Sequence, residues 1–216
     1  MTANSFACRF FSARRTCVAA SALAFLLALP GCSIPIPQAE ADPTRYFVLS
    51  TSASPAAAPA AAGVAIHLRP VEVASYLRTR PIVVRRGDHE IEFREFARWG
   101  EPLETGIGRV LREELLARGA ATAVLAGGIR APGALAAYEL TVRVLAAEGL
   151  VDGGVNFHAA WELAPASGQG TPAAQRGDFR PANLRWDGRN EGALAAQLSQ
   201  AVSLLAGDIA AELAKK

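Results

Sequence analysis

The chain has 216 residues, with 22 Lys or Arg against 20 Asp or Glu and a formal net charge of +2. So even a balance excludes the concentrated basic face of a nucleic-acid binder. Three cysteines in this length exclude a disulfide-stapled scaffold, so stability must rest on packing, and about 150 residues suffice to bury one core.

Residues 1–31 read as an export signal. Arg9, Arg14 and Arg15 precede a charge-free, mostly apolar run of 13 residues, "CVAASALAFLLAL" at 17–29, and no acidic residue comes before Glu40. Such a run is too short to span a bilayer, which takes about 20 residues, but it suits a signal-peptide core. A buried core helix would leave the arginine flank unexplained, and "TCVAAS" after Arg14-Arg15 lacks the continuation of a twin-arginine signal. The next residues, Leu29-Pro30-Gly31-Cys32, resemble a bacterial lipobox, with Pro30 where a small residue is usual. The resemblance implies that the Cys32 thiol takes a diacylglycerol, that cleavage makes Cys32 the first mature residue, and that its amine is then acylated. Two or three acyl chains anchor a protein stably where one holds it only marginally. Ser33, not aspartate, follows the cysteine, which implies sorting to the periplasmic face of the outer membrane. Cys8, Cys17 and three arginines leave with the signal, so the mature chain has 19 basic and 20 acidic residues and no free thiol.

Residues 32–44 form the lipidated N-terminus and a proline-punctuated tether; residues 45–216 are expected to fold. "RYFVLS", 45–50, reads as a strand, and the Ala/Pro-rich stretch 51–63 as an exposed loop within the domain. Val64, Ile66 and Leu68 then alternate with Ala65, His67 and Arg69, as in a half-buried strand. "RPIVVRRGDHEIEF", 80–93, reads as a hairpin turning at Gly87-Asp88, with Glu90 and Glu92 on a solvated face opposite Ile91 and Phe93. Leu103, Ile107, Val110, Leu111 and Leu115 recur at helical spacing, with Pro102 at the start and Gly119 at the stop. A short strand at 122–126 leads to two long ones, 138–145 and 155–163, joined through Asp152-Gly153-Gly154. In the second, Val155, Phe157, Ala159, Trp161 and Leu163 share a face. A polar strand near 175–185 precedes a last helix, striped by Leu194, Leu198, Ala201, Val202, Leu205 and Ile209 and capped by Asp187 or Asn190. This order predicts one α+β domain, an antiparallel or mixed sheet with two main helices packed on it.

Catalytic motifs are missing from the sequence: it contains no nucleophile elbow, zinc-protease helix, phosphate loop or C-x-x-C pair. His67, His89 and His158 fall in separate segments with no spacing that suits a metal. Glu90, Glu92 and Glu95 imitate an acid–base pair, but the alternation assigns Glu90 and Glu92 to solvent. The glycine-rich "AGGIRAPG", 126–133, lacks a lysine and a following helix, and reads as a turn. No catalytic residue, cofactor or metal is predicted.

Several segments in order resemble the ABC-type transport auxiliary lipoproteins: "RYFVLS" after the lipobox, "LRPVEVASYLRTRPIVVRRGDHEIEF", "FARWGEPLETGIGRVLREEL" through Trp99, Pro102 and Leu103, and "YELTVRVLAAEGLVDGGVNFHAAWEL". Where many relatives carry a proline, this chain has Ala74-Ser75-Tyr76-Leu77. The resemblance implies a non-enzymatic lipoprotein of Gram-negative envelopes, serving an MCE-type lipid-transport system. Its partners would be a periplasmic MCE-domain protein and, through it, an inner-membrane ABC permease and ATPase, with a homo-oligomer left open. Two other classes share the tether: a scaffold lipoprotein of another envelope or peptidoglycan-linked assembly, and a periplasmic hydrolase with an unrecognised site. The expected contact surface is "REFARWGEPL", with Arg98, Trp99, Pro102 and Leu103 as candidates, since Trp and Arg are enriched at binding hot spots. The competing reading of Trp99 is a core aromatic that pins the helix start.

Overall fold

The computed structural model describes residues 41–51, 63–126, 136–166 and 173–215. The signal, the lipobox with Cys32, residues 33–40 of the tether, residues 52–62 of the Ala/Pro-rich loop and 127–133 of the glycine-rich turn lie outside them. In chain order the elements are β1 (Arg45–Phe47), β2 (Val64–Leu68), β3 (Glu72–Val73), a 3-10 turn (Ser75–Leu77), β4 (Pro81–Gly87), β5 (Glu90–Trp99), α1 (Leu103–Ala117), β6 (Ala123–Ala126), β7 (Ala136–Leu150), β8 (Val155–Pro165), β9 (Gln175–Phe179) and α2 (Glu191–Leu213). Residues Pro43–Lys216 make one compact α+β unit.

β7 is the spine. Along one edge it pairs in parallel with β2, β3 and β4 in turn: Val64 opposite Ala136, Glu72 opposite Arg143, and Val84 opposite Gly149. Along its other edge it pairs antiparallel with β8, which carries β9. β6 extends the sheet beyond β2, and the β4–β5 hairpin with β1 extends it beyond β4. Because β2 and β4 occupy different lengths of one edge, the mixed sheet curls into a half-barrel, and both helices pack on one face of it.

The helices form where the spacing places them. Leu103, Ile107, Val110, Leu111 and Leu115 are buried along α1, and the whole predicted stripe of α2 is buried. α1 stops at Gly119, whose φ of 66° favours a residue without Cβ. Gly119 N–H donates to Leu116 and Ala120 N–H to Leu115, a Schellman closure. Of the two cap candidates at α2, Asn190 is the N-cap and Asp187 orders the turn before it. Asn190 accepts from Gly192 and Ala193, and Asp187 accepts from Arg189 and Asn190, which holds the Asp187 carboxyl below the usual carboxylate range. α2 is long and apolar enough to cross a membrane, but more than half of that stretch is buried within the domain.

Three local expectations change. β1 ends at Phe47, because the following residues leave the sheet to bridge the helices: Ser50 N–H donates to Ser199 and Arg109 to the Leu49 carbonyl. The hairpin turns at Asp88-His89, with Gly87 still in β4 opposite Glu90, and its φ is not positive. The faces of β5 also differ, since its register against β4 slips between Pro81–Arg98 and Ile82–Arg94. Glu92 is therefore half-buried between Arg86 and Arg94, and Phe93 points to solvent.

Candidate docking surface

β5 runs directly into α1, so the segment 94–103 is fixed by backbone bonds at both ends. Trp99 N–H donates to the Arg80 carbonyl at 2.7 Å, Gly100 N–H to the Phe47 carbonyl at 2.7 Å, and Pro102 caps α1. Arg109 holds Glu101 at 2.6 Å, and this hydrogen bond raises the guanidinium pKa. The four sequence candidates separate here. Trp99 and Leu103 are only 4 % and 3 % exposed, so their side chains belong to the core. Pro102 is exposed and Arg98 half-exposed. Beside them lies a pocket of about 210 Å³, rimmed by Arg78, Arg80, Pro102 and Glu104 with Trp99 and Leu103 at its floor. Among the described residues, Arg78, Arg80 and Arg98 form no ion pair, whereas most other arginines do. The surface therefore presents guanidinium groups outside any ion pair beside an apolar floor, with the Glu101 and Glu104 carboxylates lining the same pocket.

A second polar group lies on the sheet face away from the helices. Glu148 of β7 is fully buried and bound by Arg85 and by Asn156 at 2.8 Å. The Tyr76 ring lies beside Arg85, 5.9 Å from ring centroid to guanidinium carbon. Burial pushes the Tyr76 phenol up to about 12, and the Glu148 carboxylate adds to the push; the same carboxylate raises Arg85. On this face His158 meets Asp178 at 2.7 Å and Arg180 at 3.2 Å, and the His158 bond lowers the Asp178 pKa. The three histidines stay apart, on β2, at the hairpin turn and on β8. Between the helices, buried Glu114 accepts from Ser203 at 2.9 Å, Thr51 at 2.7 Å and Arg118 at 3.3 Å. Each cluster is internally paired, and its partners come from distant parts of the chain.

Sequence reasoning missed an apolar strip along β1, the residue after it and β5. Tyr46, Val48, Phe93 and Phe96 are all exposed. Phe93 was expected to face inward by strict alternation. The slipped register near Phe96 breaks that alternation, and no local sequence signal marks it.

The fold has solved counterparts. A crystal structure of an uncharacterised protein aligns with a TM-score of 0.59 at 18 % identity, over 78 % of this chain and 97 % of that one. Protein XCC0632 from Xanthomonas campestris, of the DUF330 family, aligns with a TM-score of 0.61 at 17 % identity, over 77 % and 93 %. Both establish the fold class, a mixed curled sheet carrying two helices. Among curated proteins none matches by sequence. The family model for the ABC-type transport auxiliary lipoprotein component matches residues 47–210. The chain belongs to that family. It is thus an auxiliary lipoprotein component of an ABC-type transport system, of a kind held to a membrane by lipid.

Proposed function

We propose that the protein is anchored through Cys32 to the periplasmic face of the outer membrane. There it acts as a non-catalytic docking subunit for an MCE-domain partner of a lipid-transporting ABC system. The family match across residues 47–210 carries this reading. The lipobox-like Leu29–Cys32 supports the anchor. Arg98 and Pro102, with Arg78 and Arg80 on the pocket rim, are the contact surface of the proposal: exposed cations beside a fixed apolar floor suit an acidic, partly apolar partner surface.

The test is to crosslink the tagged protein in membranes of its own host, purify it, and identify the co-purifying proteins and lipids by mass spectrometry. Recovery of an MCE-domain protein with its permease and phospholipid supports the proposal. Recovery of a different envelope assembly moves the chain to the scaffold class. Arg98→Glu should then lose the crosslink while melting unchanged; retained crosslinking removes this surface. Cys32→Ser should release the protein from membranes, and unchanged membrane association refutes the anchor.

A further inference from the structure

Half of the large apolar side chains left exposed among the described residues lie on one sheet edge. Tyr46, Val48, Phe93 and Phe96 are 60 %, 55 %, 47 % and 50 % exposed. They are contiguous. Tyr46 sits opposite Arg98 in the β1–β5 pairing, and Phe96 lies two residues before Arg98 on β5. Val48 packs against Gly100, and Phe93 and Phe96 line one 340 Å³ cleft together with Arg45. Ala97 and Trp99, on the opposite face of β5, are buried, and Glu191 at the start of α2 borders the same cleft, so the strip runs along the sheet edge beside the N-terminus of that helix. Exposed apolar area gathered in this way marks an interaction site, whereas scattered single residues do not.

We propose that this strip is a membrane-contact face, seated on the phospholipid leaflet to which Cys32 anchors the protein; it rests on the lipidation reading above. The position of the strip in the chain names the occupant. β1 is the first element after the tether, and only 12 residues separate Cys32 from Arg45. Fully extended, they span about 40 Å, which is the farthest the anchor can lie from β1. The acylated cysteine therefore holds a lipid surface at high effective concentration against β1, which carries Tyr46, and against Val48 just after it. Tyrosine at the edge of an apolar patch suits the headgroup boundary, where its ring is buried and its hydroxyl stays wet. Charge contributes little, because Glu90, Glu92 and Glu95 offset Arg86, Arg94 and Arg98 along the same strands. The contact is apolar, and added salt leaves it in place.

The test uses the mature lipidated protein, whose lack of other thiols allows unique labelling. Y46C and F96C, each carrying an environment-sensitive NBD probe, are compared with E113C on α1 in phosphatidylethanolamine–phosphatidylglycerol vesicles. The proposal expects severalfold brightening and a blue shift at 46 and 96, unchanged by salt and quenched by spin-labelled lipid, with none at 113. Emission at 46 and 96 matching 113 overturns it. Brightening that grows with protein concentration and resists the lipid quencher also overturns it, and assigns the strip to a second copy. Position 46, on the edge strand, decides if F96C disturbs β5. The mass of the N-terminal peptide reports lipidation separately. A protein without lipid refutes the anchor; Cys32 is then a free thiol, so the probe signal on added vesicles is read in a background with Cys8, Cys17 and Cys32 replaced by serine, where it still decides the strip.

Discussion

Substituting Gly177 by alanine tests how β9 is seated. Gly177 lies opposite Trp161 in the β8–β9 ladder. A Cβ at that position would stand 2.4 Å from Trp161 Cε2 and Nε1 and 2.6 Å from Cζ2. These are not the ends of a flexible side chain: the indole is 4 % exposed, and its Nε1–H donates to Asp208 of α2 at 3.0 Å. To reach ordinary contact distance, the ring or the strand must move by about 1 Å. Overpacking of that kind costs about 1–3 kcal/mol, and losing a hydrogen bond to a carboxylate costs roughly 1.5–3 kcal/mol more if the ring swings away. A net cost of about 2–4 kcal/mol corresponds to a fall in Tm of roughly 4–16 °C for a domain of this size. The backbone at Gly177 is not left-handed, so the substitution itself adds no strain. In a W161L background the obstacle is gone, and Gly177→Ala should be neutral or stabilise by up to about 1 kcal/mol through the unfolded chain. Urea and thermal unfolding of the two single variants and the double variant measure the coupling. An equal cost in both backgrounds, or no cost in either, would refute the packing argument.

Glu114→Ala leaves Ser203, Thr51 and Arg118 without their shared acceptor. It should lower the urea unfolding free energy by about 2–4 kcal/mol, toward the low end of buried ion-pair losses because Arg118 reaches solvent. Tyr76 keeps its proton to a higher pH when folded than when unfolded. Its stabilising contribution is thus complete below pH about 10 and is lost as pH rises toward 12. Tyr76→Phe should abolish the most alkaline step of the phenolate absorbance titration and flatten that loss; an unchanged titration counts against the buried pair. Asp178 is shifted the other way. Its contribution is present above the ordinary carboxylate pKa of about 4 and disappears as pH falls below it. The Tm difference between wild type and D178N should therefore shrink on acidification, and a constant difference refutes the pairing.

What was legible in the sequence was local. The stripes of α1 and α2, the stop at Gly119, the Asn190 cap and the Gly153 turn follow from 3.6-residue spacing, side-chain oxygens and positive φ, all properties of a few adjacent residues. The contact candidates were half legible: Trp99 and Leu103 sit at helix-entry positions that read equally as core or surface, and which reading holds depends on segments distant in the chain, such as Phe47 opposite Trp99. The rest depends on register. The slip in the β4–β5 ladder turns Phe93 outward, and nothing within "EFREFARW" announces it. Glu148 looks like a surface charge on β7 until Arg85 and Asn156 arrive from other strands to enclose it. Likewise, no local pattern shows that β2, β3 and β4 share one edge of β7.

That shared edge governs the order in which the molecule can be built. β2, β3 and β4 all precede their common partner, with Val64 waiting for Ala136 and Val84 for Gly149. A chain emerging N-terminus first can close the β4–β5 hairpin and pair β2 with β6, but the other edges of β2 and β4, and β3, stay open until β7 is out, and the second helix, which completes the core, comes last of all. Pairings this far apart in sequence slow folding and lengthen the time that strand edges stay open to other chains. Holdase chaperones should accordingly engage the segment 64–117 during biogenesis, and truncation before β7 should leave an aggregating fragment instead of a smaller folded domain.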